Sequence, residues 1–168
     1  MLLVIDVHYR DDNSAVVAGL TFNEWSSDEV EGKHIVKIDN VEPYEPGSFY
    51  KRELPCILAL LNSLEKVPNV IVIDGYVTLG KENEDGLGAH LYKALNPHTP
   101  IIGVAKSRFS GTSSDFEVYR GQSKQPLFVT SAGIDNSIAK ELIKSMHGNN
   151  RLPTLLKAVD RECRDAIT

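Results

Sequence analysis

Acidic side chains stand at the ends of two apolar runs that are typical of buried strands. Asp6 follows Leu3–Ile5, and Asp74 follows the β-branched run Val70–Ile73. If these strands lie side by side and point the same way, the two carboxylates meet in the crevice where such sheets bind ligands. Two acids in one dry place repel each other unless a cation or a proton compensates. The alternative is that each acid caps its own turn, as the turn dipeptide Asp74-Gly75 allows.

A third acid and a lysine extend this set. Glu53 lies at the start of a predicted helix, where an acid ordinarily interacts with the helix dipole. Lys106 closes another apolar strand; an amine there suits stabilisation of a phosphate in a transition state, although an exposed strand-end lysine is the ordinary alternative. Hard carboxylate oxygens could hold Mg²⁺, which lowers the pKa of an attacking water. Together these residues indicate magnesium-assisted phosphodiester cleavage, at a site that only the fold can assemble.

The segment before Glu53 is a stiff loop. Pro43 and Pro46 fix their own φ angles and keep the preceding residues out of the helical region. The loop therefore carries Tyr44 on a rigid arm, and such rings are suited to stacking on nucleic-acid bases or wedging between them. The alternative is that Tyr44 simply packs on the helix below it.

The elements that must position these residues follow from hydrophobic periodicity and turn residues. Three short strands with polar turns come first and predict an antiparallel meander; helices and strands then alternate. The pattern predicts an α/β fold with one mixed sheet, an antiparallel edge and helices on its faces. The predicted strands cover residues 2–8, 15–22, 32–38, 70–73, 101–105 and 127–130, and the predicted helices begin near Leu54 and cover 87–95, 138–146 and 154–164.

Length and charge bound the possible classes. A chain of 168 residues is expected to form one domain, 1–168. No apolar run approaches a membrane span, and Cys56 and Cys163 are too few for a disulfide framework or a zinc site, so we expect a cytoplasmic protein without a membrane partner. The net charge of −5 argues against a nucleic-acid partner, but it averages an acidic part, residues 1–104, and a basic part, residues 105–168.

Several motifs, in order along most of the chain, resemble the endonuclease V family. Pro43-Tyr44-Glu45-Pro46-Gly47 is followed by Arg52-Glu53-Leu54-Pro55, as in that family. The remaining matching blocks are Ile5-Asp6-Val7 with Tyr9, Ile73-Asp74-Gly75, Gly86–Leu91, Ile102–Ser107, Pro126–Ser131 and Arg151–Pro153. Together these motifs are specific, and they identify the chain as a divergent, N-terminally short member of the family.

The resemblance implies a ribonuclease H-like fold and a Mg²⁺-dependent endonuclease, with Mn²⁺ as a substitute. Relatives nick DNA or RNA at the second phosphodiester 3′ of a deaminated base, chiefly hypoxanthine (inosine). By motif, Asp6, Glu53 and Asp74 are implied metal ligands, and Lys106 is implied to contact the scissile phosphate. The implied strand-separating wedge is Pro43, Tyr44, Glu45 and Pro46, and the implied base pocket uses backbone near Gly75 and Gly103.

Two departures from the family pattern bear on activity. The family usually continues after Asp-Gly with a glycine and a His-Pro-Arg-Arg stretch, whereas acids stand in Tyr76–Asp85 here. The family also usually carries a Gly-His after the strand that ends at Ser131. In this chain Asp135 follows instead; it could substitute as an oxygen ligand, although a cap of the next helix is favoured. Loss of arginines near a phosphate path predicts weaker binding.

Three functions are compatible with these residues. The first is a divergent metal-dependent endonuclease acting on inosine-containing or otherwise modified nucleic acid. The second is a nucleic-acid-binding module that kept the fold and the wedge but lost efficient catalysis. The third, a phosphohydrolase of small nucleotides, would leave the Pro-Tyr-Glu-Pro loop without a purpose. The histidines are expected at surface or turn positions, and His90 is expected to pack within a helix.

Overall fold

The strands form one mixed sheet whose centre is parallel. The computed structural model describes residues 1–166. Its sheet has seven strands, which are β1 Leu2–Tyr9, β2 Ala15–Phe22, β3 Gly32–Ile38, β4 Val70–Asp74, β7 Ile101–Ala105, β8 Glu117–Val118 and β9 Leu127–Ala132. A separate hairpin pairs β5 Thr78–Leu79 with β6 Glu84–Asp85. The order across the large sheet is β3-β2-β1-β4-β7-β9-β8. Strands β1, β4 and β7 are parallel to one another, while β2, β3, β9 and β8 join in antiparallel pairs.

Helices cover both faces of this sheet, as the sequence pattern predicts. They are α1 Tyr50–Ser63, α2 Leu87–Ala94, α3 Asn136–Ser145 and α4 Thr154–Asp165, and a short 3₁₀ turn spans Ser114–Phe116. Side chains alternate between the two faces of a strand. In β1, Leu3 and Ile5 therefore pack toward α1 and α2, whereas Leu2 and Val4 pack toward α3 and α4.

Helix α1 differs from its prediction. It begins at Tyr50 rather than near Leu54, because the amides of Arg52 and Glu53 already donate to the carbonyl of Phe49. Pro55 consequently lies inside the helix rather than in its first turn. A proline there removes one backbone hydrogen bond. The early start has a functional effect, since it places Glu53 on a regular helical turn.

The meander and the helical layers enclose two apolar clusters, one on each face. Leu60 of α1 and Leu91 of α2 are fully buried in the first cluster, and Ile143 of α3 and Val159 of α4 are buried in the second. Among residues 1–166, no helix is long and apolar enough to cross a membrane. The carboxyl ends of the central strands β1, β4 and β7 thus form one rigid end of the sheet, where reactive side chains can be held in fixed positions.

Candidate active site at the carboxyl ends of the parallel strands

Strand pairing brings Asp6 and Asp74 together. The register aligns Ile5 of β1 with Ile73 of β4, so that the two aspartates occupy equivalent positions one step further along. Because side chains alternate, both point to the face covered by α4. Each is half-buried. The side-by-side arrangement that the sequence left open against separate turn caps is therefore the one observed.

Glu53 reaches the same place from the other face of the sheet. It lies in the first turn of α1, and its carboxylate is close enough to Asp6 and Asp74 for both to act on it electrostatically. Burial, followed by the charges of Asp6 and Asp74, raises the pKa of Glu53 to about 8. A glutamate whose only role was to interact with the helix dipole would have no need to lie beside two other carboxylates.

Lys106 completes the predicted set. It follows β7, the parallel neighbour of β4, and its Nζ lies 3.3 Å from Oδ2 of Asp74. Its side chain is 42% exposed, so the ammonium group can meet a ligand from solvent. All four residues singled out by the sequence, Asp6, Glu53, Asp74 and Lys106, thus lie at one edge of the sheet.

A fourth acid, Asp160 on α4, was missed by the sequence analysis. Its carboxylate is within hydrogen-bonding reach of Asp6, and one oxygen of each lies within 4.8 Å of the buried thiol of Cys163. A bond from Arg164 to Asp160, 2.8 Å long, helps to lower the pKa of Asp160 against the raising effect of burial. The available signal was an acid lying within the apolar stripe of α4, which includes Leu156, Val159 and Cys163.

The donor set fits a hard divalent cation. Burial, followed by the charge of Asp74, raises the pKa of Asp6 to about 7, because nearby carboxylates disfavour one another's ionisation. Asp6, Asp74 and Lys106 line a cavity of about 10 Å³, roughly the space that one water or small ion needs, and its other walls are apolar. Carboxylate oxygens such as those of Asp6 and Asp74 are ligands that Mg²⁺ prefers.

A wider recess adjoins the acids. It has a volume of about 290 Å³, and its lining includes the rings of Phe49, Tyr76 and Phe109 together with Gly75. The Tyr76 hydroxyl donates to the carbonyl of Ser107, 2.7 Å away, and accepts from the amide of Phe109, 3.0 Å away. These bonds fix the loop that carries the Phe109 ring. The result is a recess with aromatic walls beside the carboxylates.

The two glycines predicted near a base pocket have different positions. Gly75 lines the recess and has a φ of +131°, a value that side chains rarely allow. Gly103 lies behind it: a Cβ there would stand 2.5 Å from the carbonyl oxygen of Gly75. Gly103 therefore permits the close approach of the Gly75 backbone rather than lining the recess itself.

The loop of the predicted wedge projects into solvent. Residues 43–46 are all exposed, and the Tyr44 side chain is 55% exposed. Its ring lies 5.9 Å from that of Phe49, and a 2.9 Å ion pair joins Glu45 to Lys51. Tyr44 thus rests against one wall of the recess without being buried, so both the wedge and the packing interpretations retain a basis in the structure.

Asp135, which the sequence offered as a substitute metal ligand, caps α3. Its Oδ1 accepts from the backbone amide of Ser137 at 2.9 Å, and this hydrogen bonding lowers its pKa. This is the helix-cap arrangement. His90 packs as expected, with its ring stacked 3.6 Å from that of Tyr50.

Comparisons with known proteins agree with the order of the motifs. The model of the family described as Endonuclease V matches residues 1–133. An endonuclease V of Streptomyces coelicolor is 29% identical over 97% of this chain and 77% of its own length. The crystal structure of endonuclease V from Streptomyces avermitilis, 26% identical, superposes with a TM-score of 0.77 over 97% of this chain and 79% of that one.

More distant structures share the fold. The catalytic domain of human endonuclease V, 21% identical, gives a TM-score of 0.78 over 98% of this chain and 80% of that one. These neighbours confirm the ribonuclease H-like mixed sheet expected from the sequence. The matched residues include β1, α1 and β4, which carry Asp6, Glu53 and Asp74, and β7, which Lys106 follows directly. The chain belongs to the endonuclease V family of nucleic-acid-cleaving hydrolases.

Proposed function

We propose that this protein is a Mg²⁺-dependent endonuclease that nicks DNA or RNA at the second phosphodiester 3′ of a deaminated base, chiefly inosine. The observation that carries the proposal is the convergence of Asp6, Glu53, Asp74 and Lys106 beside an aromatic recess. Crowded acids alone fit any cation site. Their position next to a recess of about 290 Å³ with aromatic walls fits a nucleic-acid strand from which one base has been turned out.

The chain's own residues have separable roles in this proposal. Asp6, Glu53 and Asp74 would hold the metal, and Asp160, whose carboxylate lies beside that of Asp6, would join them from α4. Mg²⁺, with Mn²⁺ as a substitute, would lower the pKa of an attacking water and neutralise charge on the leaving oxygen. Lys106 presents its ammonium group to the scissile phosphate, where it stabilises negative charge that develops during displacement.

The recess and the loop before α1 would handle the base. Phe49, Tyr76 and Phe109 offer ring faces on which a base can stack, and stacking tolerates any base identity. Selection for hypoxanthine would come from backbone groups at Gly75, whose close approach depends on Gly103. The exposed wedge, residues 43–46, would keep the strands apart while the base is out of the stack.

Relatives support the choice of substrate. A structure of Ciona intestinalis endonuclease V, 20% identical to this chain, is a complex with a 24mer DNA containing an inosine followed by a ribo-adenosine. At that identity the likeness concerns the fold. The substrate assignment for this chain therefore rests on the recess beside its own acids and on the motif match.

A cleavage assay tests the proposal directly. Matched DNA and RNA oligonucleotides with and without one inosine are incubated with Mg²⁺ and with EDTA, using the wild type and Asp74→Ala. We expect metal-dependent nicking of the inosine strands by the wild type alone, with the cut mapped by product length. Absence of nicking on every substrate, with both Mg²⁺ and Mn²⁺, would refute an endonuclease function.

A second function, a binding module with weakened catalysis, is favoured by the acidic hairpin. Glu82, Glu84 and Asp85 are exposed on and near the hairpin β5–β6, whose residue Leu79 lines the recess. Acids there repel the phosphates of a bound strand and would hinder its placement at the carboxylates, which would weaken cleavage. Tight inosine-selective binding in a titration, combined with no metal-dependent cutting, would favour the module over the endonuclease.

A further inference from the structure

Two arginines beside the candidate site bind the protein's own backbone. Within residues 1–166, every hydrogen bond of the Arg120 and Arg151 side chains runs to a carbonyl oxygen. A guanidinium group is a rigid fork of donors, and it can therefore hold two strands or a loop at a fixed spacing. Such a pattern indicates that these side chains hold backbone segments in place. The segments that each arginine joins then show which part of the molecule it positions.

Arg120 fixes the loop between α3 and α4. The side chain is buried, with 5% of its surface exposed, and its terminal nitrogens donate to the carbonyls of Met146 at 2.6 Å, Gly148 at 3.1 Å and Asn150 at 2.7 Å. A buried cation must be hydrogen-bonded to be tolerated. The loop is thus held around Arg120, and this sets the starting point of the Arg151 side chain.

Arg151 extends from that loop to the ends of two neighbouring strands. One of its terminal nitrogens donates both to the carbonyl of Lys106 and to that of Pro126, the latter at 2.8 Å. The ladder between β7 and β9 ends at the pair Ala105 and Phe128. Arg151 therefore joins the segment that follows β7 to the segment that precedes β9, at the point where the hydrogen bonds between these strands stop. One of the two residues that it binds is Lys106 of the candidate site.

We propose that Arg151 is a positioning residue for cleavage: it holds the backbone of Lys106 so that the ammonium group meets Asp74 and the scissile phosphate. The inference rests on the proposed endonuclease function. The Lys106 side chain is half-exposed and rotates about four bonds. Its ammonium group can therefore reach only a region centred on its own backbone, and a hydrogen bond that fixes this backbone fixes that region. Arg120 acts one step further away, through the loop.

The test compares Arg151→Ala and Arg151→Lys with Arg161→Ala, an exposed arginine on α4. We expect Arg151→Ala to lower kcat by roughly 10–100-fold, the range for residues that orient a catalytic group, with KM nearly unchanged. Arg151→Lys should regain part of the kcat lost in Arg151→Ala, because a single nitrogen of Arg151 makes both bonds and an ammonium nitrogen also carries several donors. Added guanidinium ion should restore part of the kcat of Arg151→Ala, while Arg161→Ala should match the wild type.

A double-mutant cycle separates positioning from a direct phosphate contact. If Arg151 acts through Lys106, then Arg151→Ala causes no further loss of kcat in the Lys106→Ala background. A phosphate contact by Arg151 itself would instead give additive losses, a raised KM and a shallower salt dependence of binding, and would overturn the inference.

Hydrogen exchange gives a readout that needs no activity. In Arg151→Ala, amides of the segment 106–112 should exchange faster than in the wild type, whereas Arg161→Ala should leave them unchanged. Unchanged exchange in both variants refutes the positioning role of Arg151. Because this arm is independent of cleavage, a wild type that fails to cut would count against the proposed function while the hold of Arg151 on the Lys106 backbone is still tested.

Discussion

At the scale of single residues, the centre of this molecule is a group of acids that repel one another. Asp6 and Glu53 have pKa values raised to about 7 and about 8, from the ordinary values of 3.8 and 4.5. Burial is the largest cause for each, and neighbouring carboxylates add to it. The fold therefore binds protons at these two groups more tightly than the unfolded chain does, whenever no cation is present.

The metal-free protein should lose stability as pH rises. A carboxyl with a raised pKa favours the fold fully below its unfolded pKa, near 4, and this contribution is lost as pH rises to the folded values of about 7 and 8. We expect Tm in EDTA to fall between pH 5 and pH 8.5, and Mg²⁺ to reduce that fall by neutralising the carboxylates. Asp6→Asn should flatten the EDTA profile, and Asp11→Asn should not. A Tm that does not change with pH in EDTA would contradict the raised pKa values of Asp6 and Glu53.

Asp160 should matter for metal binding although the motifs do not mark it. Asp160→Asn keeps the shape but removes a charge next to Asp6. We expect the Mg²⁺ concentration for half-maximal cleavage to rise by roughly 10–100-fold, the typical effect of losing a residue that supports a metal site. Asp165→Asn, an exposed acid on the same helix, is the control. Identical Mg²⁺ curves for both variants would exclude Asp160 from the site.

At the scale of the elements, strand ends were predictable and the helical contribution was not. Asp6 and Asp74 follow unbroken apolar runs, and parallel pairing alone brings such ends together. Glu53 required the family motif, because a helix start looks the same whether its acid faces solvent or a metal. Asp160 was not found. Its place within the apolar stripe of α4 indicates that it faces the core, but α4 is separated from β1 by most of the chain, so no local pattern pairs Asp160 with Asp6.

The cap of α3 offers a test of an assignment made at this scale. Asp135→Ala removes the bond to the amide of Ser137, which should cost about 1 kcal/mol of unfolding free energy. Cleavage should be unchanged, because Asp135 serves the helix and not the metal. Urea unfolding and the cleavage rate are measured together, with Asp135→Asn as a variant that keeps an acceptor. A loss of cleavage without a loss of stability would return Asp135 to the list of ligands.

At the scale of the whole molecule, the two apolar clusters share one sheet. Strands β1, β2, β4 and β7 contribute side chains to both, so neither face can lose its packing alone. We propose that residues 1–168 form a single domain. Calorimetry should then show one transition, with equal calorimetric and van't Hoff enthalpies. Two resolved transitions would contradict this.

The acids that make up the net charge of −5 have different effects in different parts of the molecule. Acids at the site would face a bound cation, whereas Glu82 and Glu84 lie on and beside the hairpin whose residue Leu79 lines the recess, and there they repel phosphates. Reversing both to lysine changes the net charge from −5 to −1, since −5 + 4 = −1. We expect tighter nucleic-acid binding and a steeper dependence on salt, by about 0.9 in slope for each new phosphate contact.

The matched control reverses Glu24 and Glu29 to lysine, which gives the same net charge. These exposed residues lie between β2 and β3, and the pairing of Leu2 with Phe22 places that connection at the opposite end of the sheet from Asp6. Fluorescence titration of a labelled inosine strand across a salt series compares the two double variants. If local repulsion matters, only the double variant at Glu82 and Glu84 gains affinity. Equal gains in both would mean that net charge alone governs binding, and the acidic hairpin would then have no special part in weakening it.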